Sequence, residues 1–108
     1  MTKKLKFAED LIPRILSGEK TSTWRINDDK DLKVGDKLDL LSQVSSKKFA
    51  EAKITHVIEK KMENLTEEDK KGHEAFTSDK EMYDTYSKYY QIEVTPNTTI
   101  KIIRFSLI

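Results

Sequence analysis

Within six residues the chain presents an amine, a hydroxyl and a guanidinium: Lys20, Thr23 and Arg25, just after Gly18. A threonine hydroxyl is a weak nucleophile until a neighbouring base takes its proton, and with no histidine in this stretch the obvious base is Lys20. That amine must first be neutral. Bringing a lysine pKa from about 10.4 to roughly 7 or 8 requires on the order of 3 to 5 kcal/mol of selective destabilisation of the ammonium. Partial burial and the fixed charge of Arg25 would both act in that direction. The guanidinium itself suits a phosphate, a carboxylate or a carbonyl oxygen.

Composition removes several other chemistries. The chain has no cysteine, so disulfides, thiolate nucleophiles and Cys-containing zinc sites are out. His56 and His73 are the only imidazoles. No metal and no cofactor is therefore expected. Lys and Arg total 20 against 19 for Asp and Glu, a net charge of +1. Such a balance gives no global attraction for polyanions, so any nucleic-acid contact must be local. With 108 residues, 36% of them hydrophobic, one compact core can close, and residues 1–108 are expected to form a single domain. No apolar run approaches the roughly 18 residues that span a bilayer, and the first residues lead into no signal-peptide core; a soluble, cytoplasmic protein with no membrane partner is expected.

Particular elements must position the three groups. Residues 3–7 read as a first strand. Leu11, Ile12, Ile15 and Leu16 then recur at helical spacing, with Pro13 in the first turn and Gly18 at the exit. Over 21–26 the pattern is that of a strand, with Ser22, Trp24 and Ile26 on one face and Thr21, Thr23 and Arg25 on the other. Trp24 should be core, and Lys20 should sit at the turn and reach around to the polar face. After a charged loop over 27–33, Val34-Gly35-Asp36 reads as a turn into a strand over 37–41. A long central strand is expected over 49–59, with Ala50, Ala52, Ile54, His56 and Ile58 on one face.

Thr66 followed by Asp69 signals a short capped helix, and Ser78 followed by Glu81 a longer one over 79–89 whose Met82, Tyr83, Tyr86, Tyr89 and Tyr90 share helical spacing. The terminal strand, 99–108, slips phase between Ile102 and Ile103, which requires a bulge or burial on both faces. His56 is expected as a core histidine and His73 as an exposed one. The tyrosines default to core packing, with Tyr89 or Tyr90 free to line a cleft. The pairs Lys47-Lys48, Lys60-Lys61 and Lys70-Lys71, with acids nearby, read as solvated faces rather than a phosphate track.

The string Gly18-Glu19-Lys20-Thr21-Ser22-Thr23-Trp24-Arg25 resembles the G-x-K-x-x-x-x-R signature of ASCH domains, placed between a first helix and a strand. The Gly35-Asp36 turn, the acidic stretch 67–76, the tyrosine-rich helix and Ile102-Ile103-Arg104-Phe105 follow in the same order as in that family. The resemblance implies an α+β fold: a small PUA-like mixed β-barrel of about five or six strands with two or three flanking short helices. It also implies a polar cleft that takes a nucleoside or RNA. The narrower pattern G-x-K-T-x-T-x-R is similar to that of bacterial 4-acetylcytidine amidohydrolases and is matched by Gly18, Lys20, Thr21, Thr23 and Arg25. By that resemblance Lys20, Thr23 and a downstream glutamate, Glu74, are catalytic, with Glu67 and Glu68 as competing glutamates, and Thr21 and Arg25 bind substrate. The activity implied is hydrolysis of a linear amide on an acylated cytidine. The alternatives are a non-catalytic PUA-like RNA-binding module serving translation or RNA processing, and RNA cleavage by the same lysine and carboxylate.

Overall fold

In the computed structural model, which describes residues 2–27, 30–73 and 75–108, the chain runs β1 (Thr2–Phe7), a 3-10 turn (Glu9–Leu11), α1 (Ile12–Leu16), β2 (Ser22–Arg25), β3 (Lys37–Ser42), β4 (Lys48–Lys61), a second 3-10 turn (Met62–Asn64), α2 (Glu67–Lys70), α3 (Asp79–Tyr90) and β5 (Thr99–Leu107). Among the described residues the five strands form one mixed sheet in the order β1-β3-β4-β5-β2. β1 and β3 are parallel; every other pairing is antiparallel. The sheet curls into a half-barrel with short helices against it, a small α+β fold of the PUA-like kind.

β5 organises the packing. Ile102 and Ile103 are both fully buried, on opposite faces of the strand. Ile103 joins Leu5, Leu38, Leu40, Ile54 and Ile15 of α1 in one core, while Ile102 joins Trp24, Ile100, Met62, Met82 and Tyr86 in the second, under α3. The phase slip in the sequence thus marks a strand covered on both sides. At roughly 1.5 to 3 kcal/mol for each fully buried aliphatic side chain, such double coverage makes β5 and its neighbour β4 the most strongly held part of the sheet.

The irregularity itself lies in β4. Ile54 pairs with Phe105 and His56 with Arg104, which leaves Thr55 as an extra residue. This bulge reverses the side-chain alternation, so Val57 rather than His56 packs against the first core. The expectation of a core His56 is therefore corrected: its ring is exposed, and its Nδ1 lies 3.0 Å from Thr55 Oγ1. Thr55 Oγ1 in turn donates to the Arg104 carbonyl at 3.3 Å, tying the bulge to β5.

The helix starts follow their caps. Thr66 and Asp69 form a reciprocal capping box at α2, and Ser78 Oγ accepts from the Glu81 N–H at 3.1 Å at α3. Among the described residues, no helix is long and apolar enough to cross a membrane.

Candidate active site

The segment that carries Lys20, Thr23 and Arg25 is fixed by backbone before any side chain acts. α1 ends at Leu16 with Ser17 as its C-cap, Gly18 takes a positive φ of 84°, and the Lys20 N–H returns to the Arg14 carbonyl at 2.9 Å. One carbonyl, that of Gly72, accepts both the Thr21 and the Ser22 N–H at 2.9 and 3.1 Å. From the other side the Phe105 N–H donates to the Thr21 carbonyl at 3.1 Å. The turn is thus clamped between β5 and the segment that follows α2.

This clamp buries the reactive groups. Lys20 is 4% exposed and Thr23 6%, unusual values for a lysine and a surface-strand threonine. Lys20 Nζ donates to the Ser22 carbonyl at 2.7 Å, so the side chain folds back along its own strand instead of extending into solvent. Arg25 is half-buried, its guanidinium carbon 5.7 Å from the centre of the Phe7 ring. β1 and β2 are opposite edges of the sheet, and this cation–π contact spans them. The curl has brought the two edges face to face.

A cavity of about 340 Å³ occupies the seam between them. Lys20, Thr23 and Arg25 all line it. Trp24 lines it too, although its side chain belongs to the other face of β2, because the cavity sits at that strand's free edge and meets both faces. α3 contributes Tyr86, Tyr89 and Tyr90. Both tyrosines singled out as possible cleft residues are therefore there, with Tyr86 added.

The residue that sequence reasoning missed is His73. It lies parallel to Trp24 with ring centres 3.9 Å apart and an interplanar angle of 14°, and its Nε2 is 3.0 Å from the Tyr86 hydroxyl. It lines the cavity and is half-buried, not exposed as expected. The positive φ of Gly72, 76°, turns the chain so that its carbonyl faces β2 while the next side chain meets Trp24. The available signal was a glycine followed by an aromatic-like ring in a segment otherwise made of charges.

The other expected site residues are placed as follows. Thr21 is exposed and sits against Gly72 instead of lining the cavity. Glu67 and Glu68 lie on the outer surface of α2, in ion pairs with Lys70 at 3.9 Å and Lys71 at 2.9 Å. Neither lines the cavity with Lys20. Glu74 lies outside the described residues. Among the described residues no group of three or more His, Asp or Glu gathers as a metal centre would require. Lys47, Lys48, Lys61 and Lys71 are exposed, with Lys48 bonded to Glu51 at 2.9 Å, whereas Lys60 and Lys70 are half-buried and Lys60 bonds the buried Asp69 at 2.6 Å.

No protein-family model matches the sequence, and no curated protein matches it either. Solved structures do. An ASCH domain from Lactobacillus crispatus JV V101 superposes with a TM-score of 0.73 at 16% identity, covering 98% of this chain and 79% of its own. The ASCH protein of Zymomonas mobilis gives 0.66 at 17% identity, covering 96% and 66%. The fold is that of ASCH domains. A protein from Enterococcus faecalis V583 described as DUF984 gives 0.76 at 20% identity, over 92% of this chain and 70% of that one. At such identities the shared property is the ASCH-like fold, and the chemistry has to be argued from the side chains at the seam.

Proposed function

We propose that the seam cavity binds a nucleoside and hydrolyses the amide of an N-acylated cytidine. The observation that carries this reading is a lysine and a threonine, both almost wholly buried, on the wall of a cavity that is also lined by Trp24, His73, Tyr86, Tyr89 and Tyr90. Its size falls within the roughly 300 to 1,000 Å³ of small-molecule sites. Tyr89 and Tyr90 offer apolar ring surface to a base, and base–aromatic stacking is worth about 1 to 3 kcal/mol per base.

In the proposed reaction the neutral Lys20 amine takes the Thr23 hydroxyl proton as Oγ attacks the acyl carbon. Collapse of the tetrahedral adduct breaks the carbon–nitrogen bond, and Glu74, next to His73 in the sequence, delivers a proton to the departing amine. Water then cleaves the threonyl ester and acetate leaves. Thr21 supports the substrate side through the Gly72 segment, and Arg25 binds the substrate at the cavity mouth. Acetate release from 4-acetylcytidine tests this directly. Lys20→Ala, Thr23→Ala and Glu74→Gln should each abolish it; unchanged turnover in Lys20→Ala would reject the assignment. Salt-sensitive binding of structured RNA with no turnover would instead identify a binding module.

A further inference from the structure

The seam cavity carries further cations on its lining besides Lys20. Lys6 of β1, Arg14 of α1 and Arg25 of β2 line it together, with Gln43 beside them. Among the described residues Asp10 is the carboxylate on the same wall, set against Lys6, Arg14, Arg25 and Lys20. Several cations pair with nearby acids, as in Lys3–Asp36, Lys60–Asp69 and Lys80–Asp84, at 2.6 to 2.8 Å. Arg25 is not in such a pair with any described acid. Its Nε is buried without a hydrogen-bond partner, and its guanidinium carbon lies 5.7 Å from the centre of the Phe7 ring. The half-buried guanidinium is a charge-assisted donor for an anion that enters the cavity. The cation–π contact with Phe7 keeps the guanidinium at the cavity wall, where its fork suits phosphate oxygens.

The spacing also fits. Thr23 and Arg25 lie two residues apart on one strand, about 7 Å along it, and an arginine side chain adds its own reach. A ligand whose acyl group meets Thr23 would bring its sugar end toward the Arg25, Arg14 and Lys6 wall. Resting on the nucleoside reading given above, we infer that the substrate is phosphorylated: the cavity takes a nucleotide whose 5′ phosphate is held by Arg25, Arg14 and Lys6. The same chemistry is offered by a free nucleoside monophosphate and by a phosphodiester in an RNA chain.

Calorimetric titration with cytidine, cytidine 5′-monophosphate and the dinucleotide CpC separates these cases. The monophosphate should bind about tenfold more tightly than cytidine at low ionic strength, with the gap narrowing as sodium chloride rises. In Arg25→Gln and in the Lys6→Gln, Arg14→Gln pair, the monophosphate-to-cytidine ratio should fall to about twofold. Because each ratio is taken within one variant, it is insensitive to modest losses of stability. Lys6 and Arg14 are exposed, so their exchange leaves folding intact if Arg25→Gln does not. A monophosphate tighter than CpC marks a free nucleotide; CpC as tight or tighter marks an RNA chain, and both support the phosphate subsite. Equal affinity for cytidine and its monophosphate, or a preference that survives both sets of substitutions, overturns the inference while leaving the nucleoside reading in place. If none of the three ligands binds, both fall.

Discussion

Replacing Gly72 by Ala tests the clamp that positions the signature turn. Gly72 has φ of 76°, and an alanine there would incur about 1 to 2 kcal/mol of backbone strain. A Cβ at that position would also fall well inside contact distance of Thr21 Oγ1, with Thr21 Cβ 3.3 Å and its backbone N 3.4 Å away. Rotating Thr21 gives limited relief, because a β-branched side chain puts a heavy atom in two of its three staggered positions. Forcing it off its preferred rotamer costs about 0.5 to 1.5 kcal/mol. Less unfolded-chain entropy returns about 0.5 kcal/mol. The net expectation is a loss of about 1 to 3 kcal/mol, roughly a 5 to 13 °C fall in melting temperature for a chain of this size. Urea unfolding of Gly72→Ala, Thr21→Ala and the double variant gives the cycle. Thr21 is exposed, so Thr21→Ala alone should cost under about 0.5 kcal/mol and should recover about 1 kcal/mol of the Gly72→Ala loss. Additivity within about 0.3 kcal/mol would refute the steric argument, and a Gly72→Ala cost under about 0.5 kcal/mol would refute the strain argument as well.

Three further outcomes follow from the same geometry. Burial of Asp69 raises its pKa, but hydrogen bonds from Lys60 and from the Thr66 backbone and side chain outweigh this and leave it below 3.8. A depressed folded pKa means stability that is present above 3.8 and lost as pH falls through the lower folded value, so Asp69→Asn should cost about 2 kcal/mol at neutral pH and progressively less in acid; a pH-independent cost in urea titrations would contradict the pairing. Ser78→Ala should remove the α3 cap and cost about 1 kcal/mol, checked by thermal melts. Trp24 is the only tryptophan and lines the cavity, so saturating cytidine should change its emission; an unaltered spectrum under demonstrated binding would place the ligand elsewhere.

What the sequence announces is local. Thr66, Ser78, Pro13 and Gly18 each set an element boundary through a cap or a fixed dihedral, and the corresponding starts and ends appear where those residues require. The doubled isoleucine in β5 is likewise readable, since two adjacent buried side chains demand cover on both faces. The bulge at Thr55 is different. Nothing between 49 and 59 marks an extra residue, because it is fixed by pairing with Arg104 and Phe105 half a chain away. His56 accordingly lies on the face opposite to the one its spacing predicts. His73 was misplaced for a related reason: its burial depends on Trp24 and Tyr86, which reach it from β2 and α3. The grouping of Lys20, Thr23 and Arg25 was legible as a motif, whereas the edge that exposes them to a cavity depends on the curl of the whole sheet.

That curl explains how a domain of this size holds a cavity without weakening its core. Both hydrophobic clusters close without help from Lys20 or Arg25: the first runs through β1, β3, β4 and β5, and the second lies under α3. The cavity is instead the gap left where β1 and β2 approach but do not pair. Edge strands ordinarily invite pairing with other chains, and here β2 is only four residues long and its free edge is screened by α3 tyrosines and by His73. Side chains on both faces of such a strand reach one space, which is how Thr23 and Trp24, adjacent and oppositely directed, come to line the same wall. A sheet closed by a β1–β2 ladder would gain backbone hydrogen bonds and lose the site, so the short β2 is the feature on which the binding chemistry depends.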